Sequence, residues 1–169
     1  MKTLYIIRHA KSSWADPDLI DLERPLNKRG LRDAPFMAKL LHGKGVEVDK
    51  LISSPAKRAH DTASFFARQW KLPISKILLD RQIYEGTPSR LLERVHEFPN
   101  EWDTVFLFGH NPTLTSFINL YASEYLPNLP TCGVACLVCD ADDWCKMDNN
   151  NTKVLDIHYP RQYFPKKKK

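Results

Sequence analysis

Two arginines and two histidines stand at positions where phosphate chemistry could take place. Arg8 and His9 directly follow one apolar run, Arg58 lies shortly after a second, and His110 directly follows another. Arginine keeps its charge at neutral pH and offers a fork of N–H donors that suits phosphate oxygens. A neutral imidazole can attack phosphorus and later leave it. These residue types indicate phosphoryl transfer, with His9 and His110 equally able to serve as the nucleophile.

The elements that must position these side chains are strands alternating with helices. Apolar runs of strand length separate segments of helical period, and the first run is nearly all apolar, as in a parallel sheet. The pattern predicts one α/β domain over residues 1–165. Ligands of open α/β sheets gather beyond the carboxyl ends of the strands. Three strand ends should therefore bring the arginines and histidines to one edge. The predicted strands are TLYIIR, LISS, KILLD, TVFLFG, GVACLVC and KVLDIHY.

The predicted helices begin at polar residues that can cap them. Asn27 should cap a helix in which Leu31 belongs to the buried side and Pro35 introduces a bend or a break. Three further helices should each begin with a capping residue followed by proline, which has no N–H to leave unpaired at that position. These starts are Ser54-Pro55, Thr87-Pro88 and Asn111-Pro112.

The sequence gives no sign of a metal site or a cofactor. Cys136 and Cys139 lie on a predicted strand and should point to opposite faces, unlike the close cysteine pair of a zinc site. We interpret all four cysteines as reduced, buried core thiols. His9 and His110 could instead be metal ligands, but neighbouring arginines disfavour a cation.

Charge and hydropathy exclude several classes of function. The formal net charge of +5 includes four lysines at residues 166–169, so the body of the chain is nearly neutral, and the lysines form a basic tail. No aromatic and basic stripe suggests nucleic acid binding, and no apolar run is long enough to span a membrane. The N-terminal segment makes a poor signal peptide because Arg8 interrupts it, so a cytoplasmic location is expected. Nothing marks an exposed apolar stripe, and a monomer is expected.

Five motifs in this order resemble the histidine phosphatase superfamily, the phosphoglycerate mutase-like proteins, and in particular its SixA-type phosphohistidine phosphatases. They are LYIIRHAKSSW, ERPLNKRG, SSPAKRAHDTA, YEG and GHNP. The resemblance implies a three-layer α/β/α sandwich with a mostly parallel central sheet. It also implies that His9 accepts the phosphoryl group, and that Arg8, Arg58 and His110 form the phosphate pocket.

Three further residues have open roles under this resemblance. Arg24 matches an arginine of the SixA-type branch that could reach the phosphate, or it could brace its own loop through Glu23 or Asp21. Glu85 stands where many superfamily members keep a carboxylate that exchanges a proton with the leaving group, or it could brace a loop. Ser12 could donate to phosphate oxygens or stabilise a turn.

These inferences predict a metal-independent phosphatase that forms a phosphohistidine intermediate on His9. Few residues remain for a lid beyond residues 83–87, so the pocket should admit phosphohistidine on a protein, for example on a histidine phosphotransfer domain. The alternative within the superfamily is a phosphomonoesterase that acts on a small phosphoester. The alternative of another class is a phosphoprotein-binding module without turnover, which would typically lack one of the two histidines.

Overall fold

A six-stranded sheet forms the centre of the protein in a computed structural model that describes residues 1–165; the predicted basic tail lies outside the described residues. The sheet has the order β3-β2-β4-β1-β5-β6. β1, β2, β3 and β4 run parallel, whereas β5 and β6 are antiparallel to their neighbours. The mostly parallel sheet predicted from sequence is therefore confirmed. Its strands are β1 (Lys2–Arg8), β2 (Lys50–Ser53), β3 (Leu78–Leu79), β4 (Thr104–Gly109), β5 (Val134–Cys139) and β6 (Thr152–His158).

Helices cover both faces of this sheet. β1 shows the division, because Leu4 and Ile6 pack in one core cluster while Tyr5 and Ile7 pack in the other. α1 and α2 contribute to the cluster of Tyr5, and α3, α4 and α5 contribute to the cluster of Leu4. No helix in residues 1–165 is long and apolar enough to cross a bilayer. The helices are α1 (Lys28–Gly43), α2 (Lys57–Gln69), α3 (Arg81–Glu85), α4 (Pro88–His96) and α5 (Thr113–Asn119).

The cysteine prediction is confirmed for the strand and wrong for one thiol. Cys136 and Cys139 pack in opposite core clusters, as the alternation along β5 requires. Cys132 is also buried, and all four cysteines are free. Cys145, however, is exposed, because it lies in a 3-10 turn between β5 and β6 and not on the strand.

Several predicted element boundaries are wrong at places where the chain turns toward other segments. The third strand has only two residues, and Asp80 caps α3, which occupies most of the loop predicted before Thr87. α2 begins at Lys57 and α5 at Thr113, so Ser54 and Asn111 are not their capping residues. Thr87 and Asn27 do cap their helices as predicted. In α1, Leu31 is 52% exposed and not buried, and the helix continues through Pro35 without a break.

Gly30 allows the first turn of α1 to pack against the loop that follows β1. A Cβ at Gly30 would lie 2.2 Å from the backbone oxygen of Lys11, whereas a Cβ at Gly43 of the same helix meets nothing within 4 Å. We expect Gly30→Ala to lower the free energy of unfolding by about 1–3 kcal/mol or more, since backbone must move. Gly43→Ala should leave it unchanged or raise it by up to about 1 kcal/mol. Urea unfolding of the two variants checks the contrast, and equal stabilities would contradict this packing.

Candidate active site

The backbone at the ends of β1 and β4 places the two histidines side by side. Arg8 pairs with Gly109 in the sheet, and the N–H of His9 donates to the Gly109 oxygen at 3.0 Å. On the other side, the N–H of Cys132 donates to the His9 oxygen at 3.0 Å. A Cβ at Gly109 would lie 2.9 Å from the side chain of Ile83, so glycine permits this close approach of α3.

The His9 ring is held in the form that a nucleophile requires. Its Nδ1 lies 2.7 Å from the backbone oxygen of Ala10. A carbonyl oxygen can only accept, so Nδ1 carries the proton and Nε2 of the neutral ring keeps its lone pair. Burial lowers the pKa of His9 to about 3, and the charges of His110, Arg58 and Arg8 act in the same direction, against the hydrogen bond to Ala10. The imidazole is therefore neutral at pH 7.

His110 faces His9 across the same site. The centres of the two rings are 5.2 Å apart, and Nε2 of His110 lies 2.7 Å from Oγ of Ser54. Its Nδ1 is buried and has no hydrogen-bond partner within residues 1–165. Burial lowers the pKa of His110 to about 4, with Arg58 and Arg8 acting in the same direction and Asp21 against them. An approaching phosphate dianion would favour protonation of this ring.

Two arginines supply the positive charge. Arg8 ends β1, and its Nη1 donates to the backbone oxygen of Leu129 at 2.9 Å. Nε of Arg8 is buried without a hydrogen-bond partner in the described part of the chain, so the protein itself leaves this donor unused. Arg58 lies in the first turn of α2 and is only 6% exposed. Its charge and that of Arg8 both act on the two histidines.

The loop between β1 and α1 folds back toward Arg58. Nη1 of Arg58 donates to the Asp21 backbone oxygen at 2.7 Å, and Nη2 donates to Oδ2 of Asp21 at 2.9 Å. Arg24 donates through Nη1 to Oδ1 of Asp21 at 3.0 Å and through Nη2 to Oγ of Ser12. The guanidinium of Arg24 also stacks on Trp14, 3.3 Å from the ring centre. Of the two roles predicted for Arg24 and Ser12, these contacts favour bracing of the loop.

α3 supplies the remaining wall beside His110. The ring of Tyr84 meets the His110 ring edge-on with the ring centres 5.5 Å apart, and the Tyr84 hydroxyl donates to Oδ2 of Asp21 at 2.7 Å. Glu85, the next residue, is exposed and accepts from Nε of Arg81 at 3.3 Å. It makes no hydrogen bond to His9 or His110 in this structure, and its predicted role in proton transfer stays a prediction.

Other candidate sites offer less. Within residues 1–165, no group of three or more histidine, cysteine, aspartate or glutamate residues could hold a metal ion. A cavity of about 170 Å³ lies beside the start of β2, between Asp49, Leu72 and Lys76. None of the predicted site residues lines this cavity. The group around His9 therefore remains the candidate active site.

The two buried histidines predict how stability depends on pH. Their pKa values of about 3 and about 4 in the folded protein lie below the ordinary value of 6.5, so the unfolded chain binds protons that the folded chain refuses. The free energy of unfolding should therefore fall as the pH falls from about 6.5 to 4.5, by on the order of 5 kcal/mol, since two histidines each cross about two pKa units and each unit is worth about 1.4 kcal/mol.

Urea unfolding at pH 7.0 and 4.5 checks this expectation, with a His9→Ala/His110→Asn variant as the comparison. The variant should lose much less stability between the two pH values. Asp21 affects stability only at lower pH. The pKa of its carboxyl is held below the usual value, so its stabilising effect is lost only below about pH 4. The same pH dependence in both proteins would contradict the assignment to His9 and His110.

The structure brings four of the predicted residues together and adds three that the sequence did not assign to the site. Arg8, His9, Arg58 and His110 meet at the strand ends, as the strand assignments required. The additional residues are Asp21, Ser54 and Tyr84. The position of Asp21, three residues before Arg24, indicated an ion pair between these two residues. It did not indicate the hydrogen bonds of Asp21 to Arg58 and Tyr84. Ser54 ends the predicted strand LISS, which was a signal for its place near the site, whereas sequence spacing gives no such signal for Tyr84.

Comparison with known proteins identifies the family and the fold. The family model of the histidine phosphatase superfamily (branch 1) matches residues 4–106. An uncharacterized protein of Mycobacterium tuberculosis strain H37Rv is 26% identical over 165 residues, which are 92% of this chain and 100% of the relative. The SixA crystal structure from Agrobacterium tumefaciens is 27% identical, with a TM-score of 0.79 and coverage of 94% of this chain and 98% of that one.

Two further structures support the fold alone. The protein histidine phosphatase SixA complexed with tungstate has a TM-score of 0.80 at 21% identity, covering 95% of this chain and 99% of its own. Phosphoglycerate mutase from Bacillus anthracis strain Sterne has a TM-score of 0.68 at 14% identity, covering 91% of both chains. The three-layer, phosphoglycerate mutase-like fold is therefore confirmed. Its structure is similar to those of SixA phosphatases, and the chain belongs to the histidine phosphatase superfamily (branch 1).

Proposed function

We propose that this protein is a metal-independent phosphatase that removes phosphate from phosphohistidine in proteins through a phosphohistidine intermediate on His9. The observation that carries the proposal is the state of the His9 ring. Its Nδ1 proton is bound by Ala10, its low pKa keeps it neutral, and the charges of Arg8 and Arg58 act on it. A neutral nucleophile within a cationic site is what attack on a phosphate anion requires.

The proposed reaction has two steps: the phosphoryl group is transferred to Nε2 of His9, and it is then removed from that atom by water. Nε2 of His9 attacks phosphorus as the bond from phosphorus to the substrate nitrogen breaks, while Arg8, Arg58 and protonated His110 bind the equatorial oxygens. The leaving imidazole takes its proton from solvent or from Glu85, which adjoins the Tyr84 wall of the site. Water then attacks the phosphohistidine on His9, and inorganic phosphate departs. The arginines neutralise the charge that a magnesium ion neutralises in other phosphoryl transfer enzymes.

The short connections around the site support a protein substrate. Between Arg58 and His110 no connection between α2, β3, α3, α4 and β4 is longer than the eight residues 70–77, which leaves little length for an insertion that covers the site. An open site admits a histidine on a protein surface. The proposed partner is a phosphorylated protein such as a histidine phosphotransfer domain. We place the activity in the cytoplasm, since the four free cysteines suit a reducing compartment, and in a monomer.

Phosphate release in the presence of EDTA tests this proposal. We expect faster turnover, at equal concentration, of a phosphohistidine-bearing phosphotransfer domain than of p-nitrophenyl phosphate, with an acid-labile phosphoenzyme at His9. The opposite preference would favour a small-molecule phosphomonoesterase. Binding of the phosphorylated domain without phosphate release in a single turnover would identify a phosphoprotein-binding module. Loss of activity with EDTA that returns with metal would contradict metal independence.

A further inference from the structure

Asp21 connects three separate segments around the candidate active site. Its Oδ2 accepts hydrogen bonds from Arg58 of α2 at 2.9 Å and from the Tyr84 hydroxyl of α3 at 2.7 Å. Its Oδ1 accepts from Arg24 at 3.0 Å. Partial burial opposes ionisation of this carboxyl, but the hydrogen bonds from Tyr84, Arg58 and Arg24 outweigh it and hold the pKa of Asp21 well below its ordinary value. Asp21 is therefore an anion at every pH at which the enzyme would work.

The bonds to Asp21 fix the orientation of the Arg58 guanidinium. Nη1 binds the backbone oxygen of Asp21 and Nη2 binds its carboxylate, so one residue holds both terminal nitrogens. Arginine carries more N–H donors than these two bonds consume. A guanidinium held in this way loses little rotational freedom when its remaining donors bind a phosphate, which lowers the entropic cost of binding.

The same carboxylate also fixes the wall behind His110. Tyr84 is bound through its hydroxyl to Asp21, and its ring contacts the ring of His110. Asp21 thus binds Arg58 directly and reaches His110 indirectly, through Tyr84. No atom of Asp21 needs to touch the phosphoryl group for either effect.

We propose that Asp21 is the positioning residue of this active site, orienting Arg58 directly and His110 through Tyr84 for the bound phosphoryl group. The inference rests on the proposed function for its reaction, but the anion binding it predicts can be measured separately. The competing possibility is that Asp21 occupies Arg58 as a rival anion that a phosphate must displace. The two possibilities predict opposite changes in anion affinity when the charge of Asp21 is removed.

Calorimetric titration with tungstate, a tetrahedral anion, distinguishes these possibilities. Asp21→Asn should weaken tungstate binding about tenfold, the effect of losing charge-assisted hydrogen bonds to one guanidinium, and should lower kcat for phosphate release more than it raises KM. Asp21→Glu should restore part of the affinity. Glu23→Gln is the matched control: it removes a carboxylate from the same turn, is exposed, and forms no side-chain hydrogen bond or ion pair within residues 1–165.

Several results would overturn the proposal. Tighter tungstate binding by Asp21→Asn would identify Asp21 as a rival anion, and unchanged binding with a lowered melting temperature would leave it a loop-stabilising residue only. If Asp21→Asn does not fold, Tyr84→Phe takes its place, with an expected loss of about threefold in affinity, and unchanged affinity there contradicts the proposal. Failure of the wild type to release phosphate from phosphohistidine would contradict the proposed function and leave the tungstate result valid.

Discussion

Replacing His9 with alanine is expected to abolish the acid-labile phosphoenzyme and to lower turnover at least about a thousandfold, as removal of a covalent nucleophile does elsewhere. The reason is that Nε2 of His9 is the atom that accepts the phosphoryl group in the proposed cycle. The arginines remain in this variant, so tungstate should still bind within about a few-fold of the wild-type affinity. Rapid acid-free quenching with radiolabelled substrate measures the intermediate, and calorimetry measures the binding.

His60→Ala is the control for this experiment. His60 lies on α2, two residues after Arg58, and its ring makes no hydrogen bond in the described part of the chain. This variant should form the phosphoenzyme and turn over as the wild type does. A His9→Ala protein with full turnover would show that another atom receives the phosphoryl group, with His110 as the first to be tested.

Replacing Arg8 with methionine is expected to separate activity from stability. Arg8 is half-buried, and burial together with the charge of Arg29 lowers its pKa, which means that the folded protein holds this charge at a cost. Its buried Nε has no partner in residues 1–165, and the Leu129 oxygen that accepts from Nη1 also accepts from Asn111. Methionine therefore removes a charged donor of the site without leaving that carbonyl unpaired.

We expect Arg8→Met to lower kcat/KM about a hundredfold or more, the usual effect of losing a donor to a transition-state oxygen. Its melting temperature should equal or exceed that of the wild type. Steady-state kinetics and thermal unfolding at pH 7 give the two numbers. Arg90→Met, at an exposed position on α4, is the matched control and should change neither. A large loss of stability in Arg8→Met would show that Arg8 acts mainly in folding.

The sequence allowed the main part of the site to be predicted because strand ends are easy to identify. Arg8-His9 and His110 each follow a nearly continuous apolar run, and such runs in a parallel sheet end at the same edge. The choice of His9 over His110 could not come from residue types. It came from the resemblance to the family, and the bond from Nδ1 of His9 to Ala10 now gives it a physical reason.

At the wrong helix starts, contacts between distant segments add to the local ones. Ser54 does not cap α2. Its hydroxyl oxygen accepts a hydrogen bond from the Ala56 N–H and forms another with Nε2 of His110. The side-chain amide of Asn111 donates to the backbone oxygen of Leu129, and its Oδ1 accepts from the N–H of Thr115 in α5. The predicted third strand is short because a 3-10 turn ends at Lys76 and Asp80 already caps α3, so only Leu78 and Leu79 pair with β2. Local propensity contains no information on such partners.

Asp21 shows the same limit at the site itself. Its position three residues before Arg24 indicates one ion pair, and that pair is present. Its bond to Arg58 joins residues 37 positions apart, and its bond to Tyr84 joins residues 63 positions apart. Only the folded chain brings these donors to one carboxylate.

The hydrogen bonds on both sides of the His9 backbone have a consequence for how this enzyme could be altered. The residue is joined to β4 through Gly109 and to the segment before β5 through Cys132, so the backbone of the proposed nucleophile belongs to the framework of the sheet. The loop between β1 and α1, in which Arg24 contacts Asp21 and Trp14, contributes no strand to this framework. Substrate preference could therefore be redesigned, or could diverge, through substitutions in this loop at positions other than Asp21, while the sheet that carries His9 stays intact.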